Sequence, residues 1–438
     1  MNAIINADLY DYHSYRRNCY LLYDDKIQKT GSMAEFDTKG IYENVLDLNG
    51  QLVLPGMVNG HSHLYGAFLR GIPVKPYHPI TFLEKLQQLF WKLDGCLDTE
   101  ASYYSALCMV PEHVKCGVTT IIDHHASGGA VNGTLEKLKQ AWVDEAGLRG
   151  VFAFETSDRF PVEECIEENR SFYEKNAYHE NCGAMFGIHA SMSISDKTLQ
   201  KIIDAVGRMP VHVHVGESRE DEADCMARYG KRIAERFIDA GIVNQNALFA
   251  HCTNIDQKEA ARMADQGVTA VINPTSNING GIGIPDYQLL ERYGIRTIIG
   301  NDTLGTNIAA DIRNTLYLEH QKMENTWWFG SEQLKKMVIN NYEYASILLA
   351  TKLGRLKEGY CADFLSLSYE PISPMDETNI FDHLVDGVFS AFHPRNVWCG
   401  GVSKMKDYIT VYDEKAIAEA AREEAARVWS LVEEKKIC

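Results

Sequence analysis

The sequence lacks three features that would place it in common classes of protein. Its eleven cysteines contain no C-x-x-C pair and are odd in number, which argues against a cysteine zinc site and against a disulfide framework. No apolar run approaches the length of a membrane-spanning helix. Basic residues are few, with 43 Lys and Arg against 60 Asp and Glu, so the net charge of −17 disfavours nucleic acid and anionic membrane surfaces as partners.

These absences favour a small neutral or cationic substrate and a reducing cytoplasm, although the negative charge alternatively serves solubility alone. The first eight residues have no basic region followed by an apolar core, so we expect no export signal. Hydrophobic residues at 45% and charged residues at 24% are typical of a globular protein. A chain of 438 residues predicts one large domain with a smaller companion, or two domains.

The middle of the chain alternates short β-rich runs with helical stretches, which predicts parallel strands joined by crossover helices. Eight such strands are predicted, at residues 57–63, 119–124, 148–155, 184–189, 210–215, 247–251, 269–273 and 296–301. This count predicts a (β/α)8 TIM-type barrel, in which functional groups lie at the C-terminal ends of the strands. Polar residues occupy those ends as expected: His63, Asp123, Glu155, His189, His214, His251, Asn273 and Asp302.

Both ends of the chain have a different hydrophobicity pattern, with short apolar runs between turn residues. In residues 1–55 this pattern predicts small antiparallel β structure, and it returns after about residue 355. We therefore predict three parts. A composite β-sandwich domain spans 1–55 and 356–412, a metal-dependent barrel spans 56–355, and an alanine-rich C-terminal helix spans 413–438.

The most informative motif is His61-Ser62-His63, which follows the turn at Pro55-Gly56. Successive side chains of a strand alternate between its faces, so His61 and His63 point the same way and lie close enough to bind one metal ion. Two unrelated surface histidines are the alternative interpretation.

A second histidine pair, His212 and His214, lies on the predicted strand 210–215. Because His214 is nearer the C-terminal end of that strand, we assign the metal to His214. Glu217 follows on the next loop, where its carboxylate would reach a metal-bound water without binding the ion itself. Alternatively, Glu217 is a negative charge that stabilises the N-terminus of the following helix.

His251 and Asp302 end two further predicted strands. The alternative for His251 is a hydrogen-bonded core residue, and the alternative for Asp302 is the N-cap of the next helix. Three histidines and one aspartate on one rim would leave a position for water. That donor set favours zinc or ferrous iron over magnesium or calcium.

Taken in order, these motifs resemble the amidohydrolase superfamily, in its deaminase and chlorohydrolase branch. The resemblance covers nearly the whole chain and rests on Leu54-Pro55-Gly56, His61-x-His63, His214-x-x-Glu217, His251, Pro274-x-Ser276-Asn277, Asp302 and the segment from Gly354 to Asp363. Residues 119–127 and 91–94 are most similar to the aminohydrolases associated with selenium metabolism.

The resemblance implies a role for each matched residue. The implied ligands of one divalent metal, zinc or alternatively Fe²⁺, are His61, His63, His214 and Asp302. The implied catalytic residues are Glu217, His251 and Asp302, and the implied substrate-binding residue is His189. Relatives suggest a homodimer. Binuclear relatives carry a bridging lysine on the fourth strand; residues 185–190 contain none, which favours one metal. The chain departs from many relatives around Asp302 and in residues 278–282, both of which are loops that shape the pocket.

The predicted activity is that of a metal-dependent aminohydrolase. An activated water would attack the amino-bearing carbon of a heteroaromatic ring or amidine, with a purine- or pterin-like substrate favoured, and ammonia would leave. Glu217 would protonate the adjacent ring nitrogen. The alternatives are a chlorohydrolase or cyclic-amide hydrolase on the same scaffold, or a non-catalytic metal-binding protein. A zinc site of the cytidine-deaminase type is excluded because its P-C-x-x-C motif is missing.

Overall fold

The computed structural model describes residues 1–303 and 305–435, so the last residues of the predicted helix at 413–438 lie outside the described part of the chain. In these two ranges, eighteen strands form three sheets, and helices cover much of the rest. Within the described ranges, we find no helix with both the length and the apolar composition needed to cross a membrane.

The strands are numbered in chain order. They are β1 (Asn2–Tyr10), β2 (Tyr15–Tyr23), β3 (Ile27–Ser32), β4 (Val45–Asp47), β5 (Leu52–Pro55), β6 (Met57–Ser62), β7 (Val118–His125), β8 (Arg149–Phe154), β9 (Cys182–Ala184), β10 (Phe186–Ala190), β11 (Val211–Val215), β12 (Leu248–His251), β13 (Thr269–Ile272), β14 (Arg296–Ile299), β15 (Phe364–Leu367), β16 (Asn396–Cys399), β17 (Val402–Lys406) and β18 (Ile409–Thr410).

The helices are α1 (Phe82–Lys85), α2 (Trp91–Asp94), α3 (Thr99–Lys115), α4 (Thr134–Lys139), α5 (Val162–Asn176), α6 (Asp196–Val206), α7 (Arg219–Tyr229), α8 (Ile233–Asp239), α9 (Gln257–Gln266), α10 (Pro274–Gly280), α11 (Tyr287–Arg292), α12 (Ile308–Met323), α13 (Ser331–Leu348), α14 (Ile380–Asp382) and α15 (Glu414–Glu434). π-Helical turns continue α1, α4 and α14, at Leu86–Phe90, Gln140–Glu145 and His383–Val388.

All eight predicted central strands are present. They form two parallel sheets, β6-β7-β8-β9 and β10-β11-β12-β13-β14. The fourth predicted strand is split at Met185 into β9, which pairs with β8, and β10, which pairs with β11. Single parallel bridges join the edges of the two sheets, from Ser62 to Asp302 and from Thr156 to Ile188. The mixed α/β architecture is consistent with a TIM-type barrel, although the continuous ladders form two sheets and not a closed ring.

The sequence of these strands explains why they lie inside the molecule. Every residue of β7, β8 and β11 is buried, as is usual for parallel strands covered by helices on both faces. In β11, valines alternate with His212 and His214. The valines pack into an apolar core with α6 and α8, so the two histidines point together to the opposite face.

Strands from both chain ends form one nine-stranded sheet in the order β18-β17-β16-β15-β5-β1-β2-β3, with β4 also paired to β1. The predicted sandwich of two facing sheets is therefore not confirmed. The antiparallel prediction for residues 1–55 is correct for β1, β2 and β3 but wrong for β4 and β5, which run parallel to β1. The hairpin to β2 occupies one edge of β1, so these later strands pair with its other edge.

A buried ion pair ties this sheet to β8. Arg149 donates from Nε to one carboxylate oxygen of Asp363 at 2.6 Å and from Nη2 to the other at 3.1 Å. The backbone amide of Gly400 donates to the same carboxylate at 2.7 Å. Since both side chains are only 4–5% exposed, neither charge has water as an alternative partner.

We expect Asp363→Asn to lower the free energy of unfolding by about 3–5 kcal/mol, because it leaves the Arg149 charge buried without its partner. The matched control is Glu332→Gln, which removes an exposed ion pair with Lys335. That change should cost at most about 1 kcal/mol. Urea denaturation of metal-loaded protein measures both variants. Equal costs would show that the buried pair does not stabilise the junction.

Candidate metal centre and active site

His61 and His63 lie at the end of β6 and are both buried, which excludes the interpretation as surface histidines. Their Nε2 atoms face the same carboxylate oxygen of Asp302, at 3.8 Å from His61 and 3.2 Å from His63. His63 donates from Nδ1 to the carbonyl oxygen of His124. This bond keeps a proton on Nδ1 of His63, so Nε2 is the nitrogen that would bind a cation once its own proton is displaced.

His214 completes this group from β11, with its Nε2 atom 3.3 Å from Nε2 of His63. In the part of the chain that the structure describes, ligand-type atoms within 4.8 Å of one another occur in three overlapping sets. These sets are His61 with His63 and Asp302; His61 with His214 and His251; and His63 with His124, Glu155 and His214. The four predicted ligands therefore lie together in one buried cluster.

The cluster has the properties expected of a site for a divalent metal. Nε2 of His61, both ring nitrogens of His124 and Oε1 of Glu155 are buried without a hydrogen-bond partner. Such atoms are costly unless a partner satisfies them, and a cation would do so. Burial lowers the pKa of His61 and His214, so both rings are neutral and can bind metal.

Asp302 and His63 shift each other's pKa in opposite directions. Burial alone would raise the pKa of Asp302, but the hydrogen bond and charge of His63 hold it at about 2. Burial likewise opposes protonation of His63, yet Asp302 and Glu155 raise the pKa of that imidazole to about 9. A metal ion must therefore displace a proton from His63, so metal affinity increases with pH up to that value.

His251 and Asp302 adopt left-handed backbone conformations, with φ of 74° and 61°. Such conformations cost about 1–3 kcal/mol each and are concentrated at functional sites. Nδ1 of His251 donates to the side-chain oxygen of Asn277 at 2.8 Å, and its Nε2 faces Glu217 at 3.6 Å. Asp302 is not an N-cap, because Asn307 caps the following helix α12.

Glu217 lies in the loop between β11 and α7, which the neighbouring loop holds in place. The hydroxyl of Thr253 donates to the carbonyl oxygens of Gly216 at 2.7 Å and Glu217 at 2.8 Å. Ser218 caps α7, so Glu217 precedes the helix and its side chain lines the pocket instead of the first helical turn. Burial raises the pKa of Glu217, although His251 opposes the shift.

The pocket above this cluster is lined by His189 together with His63, His214, Glu217 and Asp302. Nδ1 of His189 shares a hydrogen bond with Ser193 at 2.7 Å, and its ring packs edge-on against Trp91. The remaining lining residues are Tyr65, Phe82, Lys85, Leu86, Phe90, Asp94, Glu155, Ser276, Gly280, Ile282 and Thr303. The structure thus brings all seven predicted site residues together, and their individual roles stay predictions.

Comparison with known proteins identifies the family. The model of the amidohydrolase family matches residues 52–403. This chain belongs to the amidohydrolase family. The predicted enzyme class, a hydrolase of carbon–nitrogen bonds outside peptides, is thereby confirmed.

This amidohydrolase is similar to curated and solved proteins over almost its full length. It is 27% identical over 399 residues to a 5-methylthioadenosine/S-adenosylhomocysteine deaminase of Thermococcus sibiricus, covering 87% of this chain and 86% of the relative. A Bacillus cereus protein of the same name is 26% identical, with coverages of 92% and 94%. These relatives match the predicted deaminase and chlorohydrolase branch, and the narrower likeness to selenium-associated aminohydrolases stays a prediction.

Two solved structures share the fold. A zinc-bound adenosine deaminase of Xanthomonas campestris superposes with a TM-score of 0.83 at 18% identity, covering 98% of each chain. An atrazine chlorohydrolase of Arthrobacter aurescens, complexed with zinc and atraton, superposes with a TM-score of 0.81 at 19% identity, covering 97% of this chain and 100% of the other.

Three residues of this amidohydrolase acquire a place in the site that the sequence motifs did not assign. Nε2 of His212 shares a hydrogen bond with Nδ1 of His61 at 2.8 Å, which orients the His61 ring. His124 stacks on His212 with ring centres 4.3 Å apart. Glu155 lies 3.4 Å from Nδ1 of His63, and burial raises the pKa of its carboxyl to about 8. The sequence signal available for them was their position on the predicted strands. His124 and Glu155 end two of these strands, and His212 shares a strand with His214.

We expect His212→Phe to weaken metal binding by about 10- to 100-fold, because groups that orient a metal ligand have effects of this size. Phenylalanine keeps a flat ring but removes the hydrogen bond to His61. The matched control is His113→Phe, at a buried histidine that packs against Trp142 away from the cluster. Competition with a chromophoric chelator measures the affinity. Equal affinities in the two variants would contradict the orienting role of His212.

Proposed function

We propose that this amidohydrolase is a metal-dependent deaminase that replaces the amino group of a purine- or pterin-like ring by hydroxyl. The observation that carries the proposal is the placement of Glu217 and His251, 3.6 Å apart, beside the histidine and aspartate cluster. The curated relatives support the choice of ring, since both are named for adenosine derivatives.

We assign one zinc ion to His61, His63, His214 and Asp302. This assignment is supported by the three nitrogen donors and one carboxylate, a set that zinc prefers, and by the zinc in the two similar structures. When bound, zinc lowers the pKa of a coordinated water to near neutrality and so supplies a nucleophile.

The side chains then divide the proton transfers. Glu217 protonates the ring nitrogen beside the amino-bearing carbon as that carbon becomes tetrahedral. Asp302 and His251 orient the attacking water and accept one of its protons, which passes to the leaving amine. As ammonia leaves, the second proton of that water returns to Glu217, so water and the aminated ring yield the hydroxylated ring, as its N–H and C=O tautomer, together with ammonia. The raised pKa of Glu217 favours the protonated form that this step requires.

We also propose that β6 to β14 form a (β/α)8 barrel at 56–355 and that residues 1–55 and 356–412 form a separate small domain. The bridges at Ser62 and Thr156 support the barrel. Strand pairing between Phe364 and Pro55 supports the small domain, because it joins the two chain ends. The homodimer and the cytoplasmic location stay predictions.

The test is to incubate zinc-loaded protein with a panel of aminopurines and aminopterins and with chloro and cyclic-amide analogues. Ammonia, chloride and ring absorbance are measured for each compound. Ammonia release from an aminated ring is the expected result. Chloride release or ring opening without ammonia would contradict the deaminase and favour a different hydrolase on this scaffold.

A further inference from the structure

Asp123 is a buried acid beside the metal cluster that has no role in the proposed reaction. It lies near the end of β7, where no part of its side chain is accessible to solvent. Among the described residues it belongs to none of the possible ligand sets, and its Oδ2 atom has no hydrogen-bond partner. A buried carboxyl group that is only half satisfied costs stability. Such a residue in the middle of an apolar core is expected where function requires it.

The other carboxyl oxygen holds the backbone on both sides of His63. Oδ1 of Asp123 accepts from the amide of Leu64 at 2.7 Å and from the hydroxyl of Ser62 at 3.2 Å. Leu64 begins a short 3₁₀ turn, Leu64–Leu69, and the side chain of the N-cap residue, His63, makes no capping hydrogen bond. Asp123 therefore supplies from β7 the acceptor that an N-cap side chain would otherwise provide.

The pairing of β6 with β7 explains why a side chain is needed at this point. From Asn59 to Ser62, β6 advances by three residues, whereas β7 advances by two, from Ile121 to Asp123. An irregularity of this kind leaves a residue unpaired and redirects the side chains that follow. The hydrogen bonds of Asp123 thus replace the regular ladder just where β6 presents its histidines.

The next residue of β7 fixes the ring of the same histidine. The carbonyl oxygen of His124 accepts from Nδ1 of His63 at 2.5 Å. Two consecutive residues of β7 therefore hold both the backbone and the imidazole of His63. Nε2 of this ring lies 3.2 Å from Asp302 and 3.3 Å from His214. A displacement of the backbone at 62–64 would move this nitrogen away from the other proposed ligands.

We propose that Asp123 is a positioning residue for metal binding, whose carboxyl group holds the backbone that carries His63 so that Nε2 of that ring reaches the ion. This inference rests on the proposed zinc site but not on the substrate or the reaction. The chemistry required of residue 123 is that of a hydrogen-bond acceptor. An amide at this position therefore suffices, and an aliphatic side chain does not.

The test measures the zinc affinity of the full chain by competition with a chromophoric chelator. We expect Asp123→Ala to weaken zinc binding by about 10- to 100-fold, because groups that orient a metal ligand have effects of this size. Asp123→Asn should restore the affinity, since its side-chain oxygen accepts the same hydrogen bonds. With Co²⁺ in place of zinc, the visible absorption bands report the ligand geometry. At saturating metal they should change in Asp123→Ala and stay those of the wild type in Asp123→Asn.

Glu168→Ala is the matched control. Glu168 of α5 is also buried, and its carboxyl group accepts from the amides of Gly133 at 2.7 Å and Leu135 at 2.8 Å, at the start of α4. Among the described residues it belongs to none of the ligand sets, and it does not line the pocket. Its loss removes the same kind of contact, so it should lower stability but leave the zinc affinity and the cobalt spectrum unchanged.

Thermal unfolding checks that each variant is folded, and Asp123→Leu, which also lacks an acceptor, replaces Asp123→Ala if that variant is not. The proposal is overturned if loss of the acceptor leaves zinc affinity at the wild-type value, or if Glu168→Ala weakens zinc binding equally. A wild-type chain that binds no zinc would overturn the zinc site and this role with it. Ammonia release reports separately on the reaction, so zinc binding that depends on Asp123 without ammonia release would overturn only the deaminase function.

Discussion

Glu217→Gln is expected to lower turnover by about 10²- to 10⁴-fold while the metal stays bound, because positioned proton transfer contributes factors of this size. Glutamine has nearly the same shape as glutamate but cannot exchange a proton with the ring nitrogen. Among the residues that the structure describes, Glu217 belongs to none of the ligand sets of the cluster, and its carboxylate lies 3.6 Å from Nε2 of His251. The loop contacts of Thr253 are made to backbone oxygens, so the substitution leaves them intact.

The measurement combines the turnover number for ammonia release with metal content per chain by mass spectrometry. The control is Asp224→Asn on the exposed side of α7, which removes only an ion pair with Arg228 and should leave turnover within about twofold. Undiminished turnover in Glu217→Gln would refute its role in proton transfer. Loss of metal together with activity would instead indicate that Glu217 is a ligand.

The residues predicted correctly are those whose placement follows from local rules. His61 and His63 share a face because strand side chains alternate, and both do point into the cluster. Glu217 follows a strand by two residues, so it had to lie at the rim where parallel strands end. Motif spacing along one strand and its loop was sufficient for these positions.

The contacts that local spacing could not reveal join residues far apart in sequence. The hydrogen bond between His61 and His212 spans 151 positions, and no period-two or helical pattern connects them.

The arrangement of the chain-end strands was unpredictable for a related reason. Alternation marks a short strand but does not say which neighbour it pairs with, so β15 could join either a second layer or the existing sheet. Pairing of Phe364 with Pro55 places it beside β5 and extends one sheet. The apolar pattern of β17 is weak, because only two of its five residues, Lys404 and Met405, are buried.

Loss of His63 is expected to abolish both activity and the stabilisation that metal provides. Its Nε2 atom lies 3.2 Å from Asp302 and 3.3 Å from His214, in the middle of the proposed ligand set. His63→Ala removes the donor atom that lies between Asp302 and His214. Metal occupancy should therefore fall from one ion per chain to near zero.

The folding equilibrium provides a readout that does not depend on the substrate. A ligand that binds only the native state stabilises it by about 2.7 kcal/mol at 100 times its dissociation constant. Chelating the metal should therefore lower the free energy of unfolding of the wild type by about this amount at that excess of zinc. The same treatment should leave His63→Ala unchanged, because there is no bound metal to remove. A chelator effect of equal size in both proteins would place the metal at ligands other than His63.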